Sequence, residues 1–225
     1  MVEIFRCARA EVYHNSGKKT LTQVKKETGC THIINGYLFN SSFRPLGWTV
    51  IDGKIISRDA YRDWGVSIGA DRRPVMDTDR GGSFLSGVPL LKNGQKLKRE
   101  LTADVARSAA RTAVGWMPDG RVVLWCDKTS LTRDQLQNRL LGLGVSDALM
   151  LDGGGSTQGR FPDGAVTSSR KVATLLLFWQ ETEAAAPENP VIKWAAEKEI
   201  LTEAQLAEPG KTVTRQELLQ SLYRL

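Results

Sequence analysis

Residues 152–158, Asp-Gly-Gly-Gly-Ser-Thr-Gln, constrain this chain more than any other stretch. They follow Ala148-Leu149-Met150-Leu151, an apolar run with the length and bounding of a buried strand. A carboxylate delivered at the end of such a strand, ahead of backbone without side chains, describes either the floor of a site or a tight turn. Glycine admits positive φ and lets a ligand approach the main chain closely. It also leaves backbone N–H groups to face an anion. Gly153 and Gly154 are therefore candidate contacts beside Asp152. Ser156, Thr157 and Gln158 add donors and acceptors suited to sugar hydroxyls or phosphate oxygens.

Around this loop the chain reads as many short strands and few helices. Asp52-Gly53 between two apolar runs is a hairpin signal, and Pro118-Asp119-Gly120 joins residues 113–117 to 121–125 in the same way. Thr20 with Gln23, and Thr132 with Gln135, match the capping box that satisfies orphan amides at a helix start. In the second helix Leu136, Leu140, Leu141 and Leu143 form a stripe to pack on a sheet, and Gly142 and Gly144 end it. The expected class is α+β: a sheet-dominated mixed domain over residues 1–180.

Composition excludes several classes. At 41% hydrophobic and 25% charged, the chain is an ordinary globular one. Its longest apolar run, 172–179 apart from Thr174, is too short to span a bilayer, so no membrane insertion is expected. The first 15 residues carry Glu3, Arg6, Arg9 and Glu11 and no apolar core, so a signal peptide is not expected. Cys7, Cys30 and Cys126 have no Cys-x-x-Cys spacing and read as free thiols of a reducing compartment. The expected location is the cytoplasm, or outside the cell after lysis. From residue 181 on there are five of the 31 Lys/Arg and eight of the 25 Asp/Glu, which leaves the body basic. A basic body suits an anionic glycan. No basic cluster is interleaved with stacking aromatics, which argues against nucleic acid.

Four segments in order carry a family resemblance: Ile34-Asn35-Gly36-Tyr37-Leu38-Phe39, Ser86-Gly87-Val88-Pro89-Leu90, Arg111-Thr112-Ala113-Val114-Gly115, and the Asp152 loop. Together they resemble the phosphodiester glycosidase family across nearly all of residues 30–180. One departure is Tyr37, where the family carries a second glycine, which narrows that side of the pocket. The resemblance implies hydrolysis of a sugar-1-phosphodiester, such as an N-acetylglucosamine-1-phosphodiester or a related wall glycan, to free sugar and a phosphate monoester. It nominates Arg111 as a phosphate clamp and Asp152 and Asp127 as the carboxylates at the reacting centre. Asn35 and Gly36 would hold the sugar. Outside the four segments, Arg170 precedes the final strand and is a candidate second arginine to reach phosphate.

The chemistry is consistent with those residue types. A phosphate monoester has its second pKa near 6, so it leaves with little help from an acid. Demand shifts to clamping phosphate, where guanidinium supplies parallel donors, and to stabilising an oxocarbenium-like centre. If Asp127 and Asp152 flank the anomeric carbon, their separation decides retention or inversion. No cofactor is required. Cys30 and His32 lack a second pair for zinc, and a divalent cation at Asp152 or Asp127 stays open. His32 reads as a core histidine. Two alternatives stand: a non-catalytic glycan-binding module, and a metal-dependent phosphodiesterase.

The chain changes character at Glu181, with a proline-bounded linker over 181–190. Residues 191–225 carry two helix candidates and resemble part of a surface-layer homology repeat, a module that binds wall polymer. Some 35 residues bury little core alone, so a role in homo-oligomers fits this tail as well. That tail points to a bacterial or phage wall-associated protein.

Overall fold

The computed structural model describes residues 1–58, 64–98 and 106–182. The chain divides into a unit Met1–Glu181 and a unit Thr182–Leu225. The helical hairpin expected over 191–225 lies outside the described residues.

Three sheets make up the first unit, and every strand pairing within them is antiparallel. The first runs β1 (Val2–Phe5), β12 (Val122–Leu131), β11 (Ala109–Trp116), β13 (Asp147–Met150), β9 (Val88–Lys92), β10 (Gln95–Lys96). The second runs β15 (Gly164–Val166), β14 (Gly159–Phe161), β3 (His32–Asn35), β16 (Thr174–Gln180), β2 (Cys7–His14). The third runs β5 (Lys54–Ser57), β4 (Thr49–Ile51), β8 (Ser83–Ser86), β6 (Gly65–Ile68), β7 (Pro74–Asp77). Helices α1 (Leu21–Thr28) and α2 (Arg133–Gly142) complete the described elements, with a single 3₁₀ turn at Gly154–Ser156. The α+β expectation thus resolves into a sheet-dominated fold with two helices among the described residues.

Local chemistry places the turns and caps. Asp52 and Gly53 take φ of 46° and 77°, the paired positive values of a type I′ turn whose twist matches the strands it joins. Thr20 and Thr132 each close a reciprocal capping box, with Gln23 and Gln135. Leu136 and Leu140 of α2 are fully buried, and between them Gln137 donates to the carbonyls of Leu90 and Leu97 at 2.7 and 3.1 Å. That pair of bonds adds a directional tie to the hold that the buried leucines give α2 on the first sheet.

The apolar stretch before Trp179 is buried on both faces of β16. Leu176 and Phe178 enter the main core between the sheets, while Leu175 and Leu177 pack with Leu21, Val24 and Ile33 beneath α1. Burial on both faces explains a continuous apolar run in place of alternation. No described helix is long and apolar enough to cross a membrane. All three cysteines are free and buried.

Two sheets meet where the Asp152 loop begins. Leu151 N–H donates to Thr112 O of β11 at 2.9 Å, in the first sheet, and Asp152 N–H donates to Gly36 O, just past β3 of the second, at 3.1 Å. The loop therefore sits on a seam between sheets.

Candidate active site

A cavity of about 340 Å3 opens at that seam. Its polar lining is Asp152, the backbone of residues 153–155, and three arginines: Arg107, Arg111 and Arg170. Tyr37, Leu38, Val88 and Met150 supply an apolar wall. Among the described residues Asp152 is the one carboxylate on the lining.

Burial raises the pKa of Asp152 above the usual carboxylate value. Hydrogen bonds from the Ser156 hydroxyl and the Gly153 N–H, together with the charge of Arg170, oppose that rise. Arg170 Nη1 in turn donates to Ser156 Oγ at 3.4 Å, so guanidinium, hydroxyl and carboxylate form a chain. Gln158 donates to the Arg170 carbonyl at 2.8 Å and Ser168 Oγ accepts from Arg170 N–H at 3.1 Å, which fixes the backbone that presents this arginine.

The three glycines are each set against one arginine. A methyl group on Gly153 would lie 3.8 Å from Arg111 Nη1, one on Gly154 3.5 Å from Arg107 Nη2, and one on Gly155 3.4 Å from Arg170 Cζ. Two of the glycines have further reasons to be glycine. Gly153 approaches Ala110 O so closely that a methyl would sit 2.6 Å from it, and Gly154 has φ of 59°.

Arg111 is buried, and its Nε donates to Leu131 O at 2.9 Å. Its Nη2 donates to the carbonyl of Arg107. Burial, and then the nearby charge of Arg107, lower its pKa from the ordinary arginine value. Arg107 and Arg170, by contrast, are exposed on the cavity rim. Arg107 carries no local motif; the only hint in the sequence is a second arginine four positions before Arg111.

Several nominated residues do not reach the cavity. Asp127 is absent from the cavity lining, and the strand expected over residues 121–125 runs on through it to Leu131 in its pairing with β11; the expected pairing of Asp152 with Asp127 at the reacting centre is corrected. Burial works to raise its pKa, but bonds from the Thr129 N–H and hydroxyl and nearby positive charges outweigh it, and the pKa is lowered. Asn35 is fully buried and every polar hydrogen and lone pair it has is used. It donates to Gly36 O at 3.1 Å and Asp152 O at 2.8 Å, and accepts from Thr112 Oγ1 at 2.7 Å and Gln158 N–H at 3.1 Å. Four bonds exhaust an amide, so Asn35 holds the Asp152 loop and has no group left for a sugar. Gly36 is wedged against Thr174, whose Oγ1 would lie 2.3 Å from an added methyl. Thr157 and Gln158 turn inward as well, both buried, with Thr157 O receiving Lys128 Nζ at 2.6 Å. Ser156, fully buried, acts through its hydrogen bond to Asp152. His32 is a core residue, stacked on Phe5 at 3.9 Å, and burial followed by the charge of Lys25 lowers its pKa to about 4. No cluster of three or more His, Cys, Asp or Glu residues suited to a metal occurs among the described residues.

A family model described as phosphodiester glycosidase matches residues 28–179. Among solved structures, the chain is similar to the catalytic domain of zebrafish N-acetylglucosamine-1-phosphodiester alpha-N-acetylglucosaminidase, auto-inhibited by its pro-peptide. The TM-score is 0.61 at 22% identity, covering 77% of this chain and 73% of that one. A hypothetical protein from Synechocystis gives a TM-score of 0.61 at 11% identity, over 80% of this chain and 57% of the other. A protein from Burkholderia pseudomallei gives 0.51 at 12% identity, over 76% and 71%. At these identities the structures show a shared fold. No curated protein matches the sequence significantly. The family match ends at residue 179, so nothing in it supports the surface-layer resemblance or the wall-associated reading drawn from residues 191–225.

Proposed function

The chain belongs to the phosphodiester glycosidase family, and from that premise we propose that it hydrolyses the bond between an anomeric carbon and the phosphate oxygen of a sugar-1-phosphodiester, with N-acetylglucosamine as the first sugar to test. One observation supports this best: a single described carboxylate shares the cavity with three guanidinium groups. Conventional glycoside hydrolysis needs two carboxyl groups, one of them an acid for a poor leaving group. A phosphate monoester leaves as a weak base, so arginines can take the place of the acid.

In this reading Asp152 works ionised, stabilising positive charge at the anomeric carbon or attacking it, and the arginines supply the positive charge that faces the phosphate. The apolar wall of Leu38, Val88 and Met150 meets the sugar's carbon face, and Tyr37 bounds the cavity where the resembling family motif has glycine. Asp127 and Asn35 are removed from the substrate-contacting set. No step in this scheme calls for a cofactor.

The test is product identity. The full chain is incubated with an alkyl N-acetylglucosamine-1-phosphodiester, with and without chelator, beside Asp152→Asn. Free sugar, insensitive to chelator and lost in the variant, is the expected result. Sugar-1-phosphate in place of free sugar, or activity abolished by chelator, identifies a metal-dependent phosphodiesterase. Saturable binding without turnover identifies the glycan-binding alternative, for which the narrowing at Tyr37 is the supporting feature.

A further inference from the structure

Resting on the glycosidase reading, we infer that Arg107 and Arg170 form a seat for a phosphate dianion, with Arg111 acting through Arg107 as a positioning residue. The three arginines are not equivalent. Arg111 is buried and spends donors on the carbonyls of Leu131 and Arg107. The second of these bonds fixes the main chain from which the Arg107 side chain leaves. Arg107 and Arg170 are exposed at the cavity and stand over adjacent glycines, 154 and 155. Side chains built at those two positions would lie 3.5 Å from Arg107 Nη2 and 3.4 Å from Arg170 Cζ, so both guanidinium groups border the same stretch of bare glycine backbone, and each presents the forked donors that suit phosphoryl oxygens.

The charge balance selects the ligand. Three guanidiniums against Asp152 leave the described lining at net +2, whereas a phosphodiester carries one negative charge. Hydrolysis supplies the second charge. As the bond from anomeric carbon to bridging oxygen breaks, its electron pair stays on oxygen, so the departing group becomes a phosphate monoester dianion. Water delivers hydroxyl to carbon and its remaining proton passes to solvent or base. Charge that grows along the reaction coordinate meets donors already in place, which is stabilisation of the transition state over the ground state. The same seat then holds the product, so phosphate monoesters inhibit.

Calorimetry on the full chain tests this with methyl phosphate and dimethyl phosphate at pH 7.5. Methyl phosphate is expected to bind about tenfold or more tightly than the diester, the range of one or two charge-assisted hydrogen bonds. Arg107→Gln and Arg170→Gln should each weaken methyl phosphate by about tenfold or more while leaving the melting temperature in place. Arg107→Lys should restore part of the loss, as charge without the fork. Equal affinity for the two phosphates, or binding indifferent to both Gln variants, overturns the seat. The two ideas fail separately: a dianion preference lost in the variants, without sugar release, sinks the glycosidase reading and keeps the seat. Sugar release without dianion preference does the reverse.

Discussion

Asn35→Asp replaces one amide N–H2 by an oxygen and changes almost nothing in shape. The wild-type amide donates to Gly36 O and Asp152 O, and the side chain is fully buried. The variant loses both donations and sets an acceptor against two carbonyl oxygens. Each lost bond is worth about 1 kcal/mol net, and leaving a buried carbonyl unmatched adds roughly as much again. The total is about 3–4 kcal/mol, or roughly 6–16 °C in melting temperature for a unit of this size. Charge sharpens the effect. A buried carboxyl has a folded-state pKa above its unfolded value of about 3.9. Its contribution is therefore retained at pH below the unfolded value and lost as pH rises through the folded value. The deficit relative to wild type should thus be smaller at pH 4, where the protonated acid restores one donor, than at pH 7. Thermal unfolding of both proteins across that range measures it. A variant within about 2 °C of wild type at pH 7 would mean that Asn35 does not hold the loop, and the positioning argument fails.

Three further outcomes are expected. His32, held neutral with a pKa of about 4, binds its proton more readily unfolded, so stability it supports above pH 6.5 is lost as pH falls towards 4, by at most about 3 kcal/mol. His32→Phe should flatten that acid limb in denaturant titrations; an unchanged slope assigns it to other groups. Gly154→Ala, at φ of 59°, should cost about 1–2 kcal/mol, read as a lower unfolding midpoint; no shift would mean the loop adopts another backbone form. If Asp152 works ionised, sugar release should fall at acid pH with a midpoint above the ordinary aspartate value, because burial raises its pKa. Arg170→Gln, by removing an opposing charge, should move that limb to higher pH, and a limb that stays put would separate Arg170 from the carboxylate.

Features set by neighbours in sequence are legible in the sequence alone. The Asp52-Gly53 turn, the capping boxes at Thr20 and Thr132, and a strand delivering Asp152 each depend on a few adjacent residues. The length of β12 is not legible in the same way: the hairpin signal places a strand over residues 121–125, yet the ladder with β11 carries it through Asp127 to Leu131, because register is a property of the partner. Asn35 looked like a sugar reader because its motif context matched the family. Its saturation follows from Thr112, Asp152 and Gln158, which lie far along the chain and meet only at the seam. Arg107 was missed for the same reason: its association with Gly154 comes from folding, not from spacing.

The seam also divides labour in a way that bears on how such a protein can change. The backbone that carries Asp152 is bonded to both sheets through Asn35, Gly36 and Thr112, so a substitution among those supports threatens folding itself. Arg107 and Arg170 stand outside the strand ladders, on exposed segments that carry little of the core. On the proposed reading, exchanging the rim residues would alter the leaving-group side of the cavity without disturbing the sheets that hold Asp152 in place.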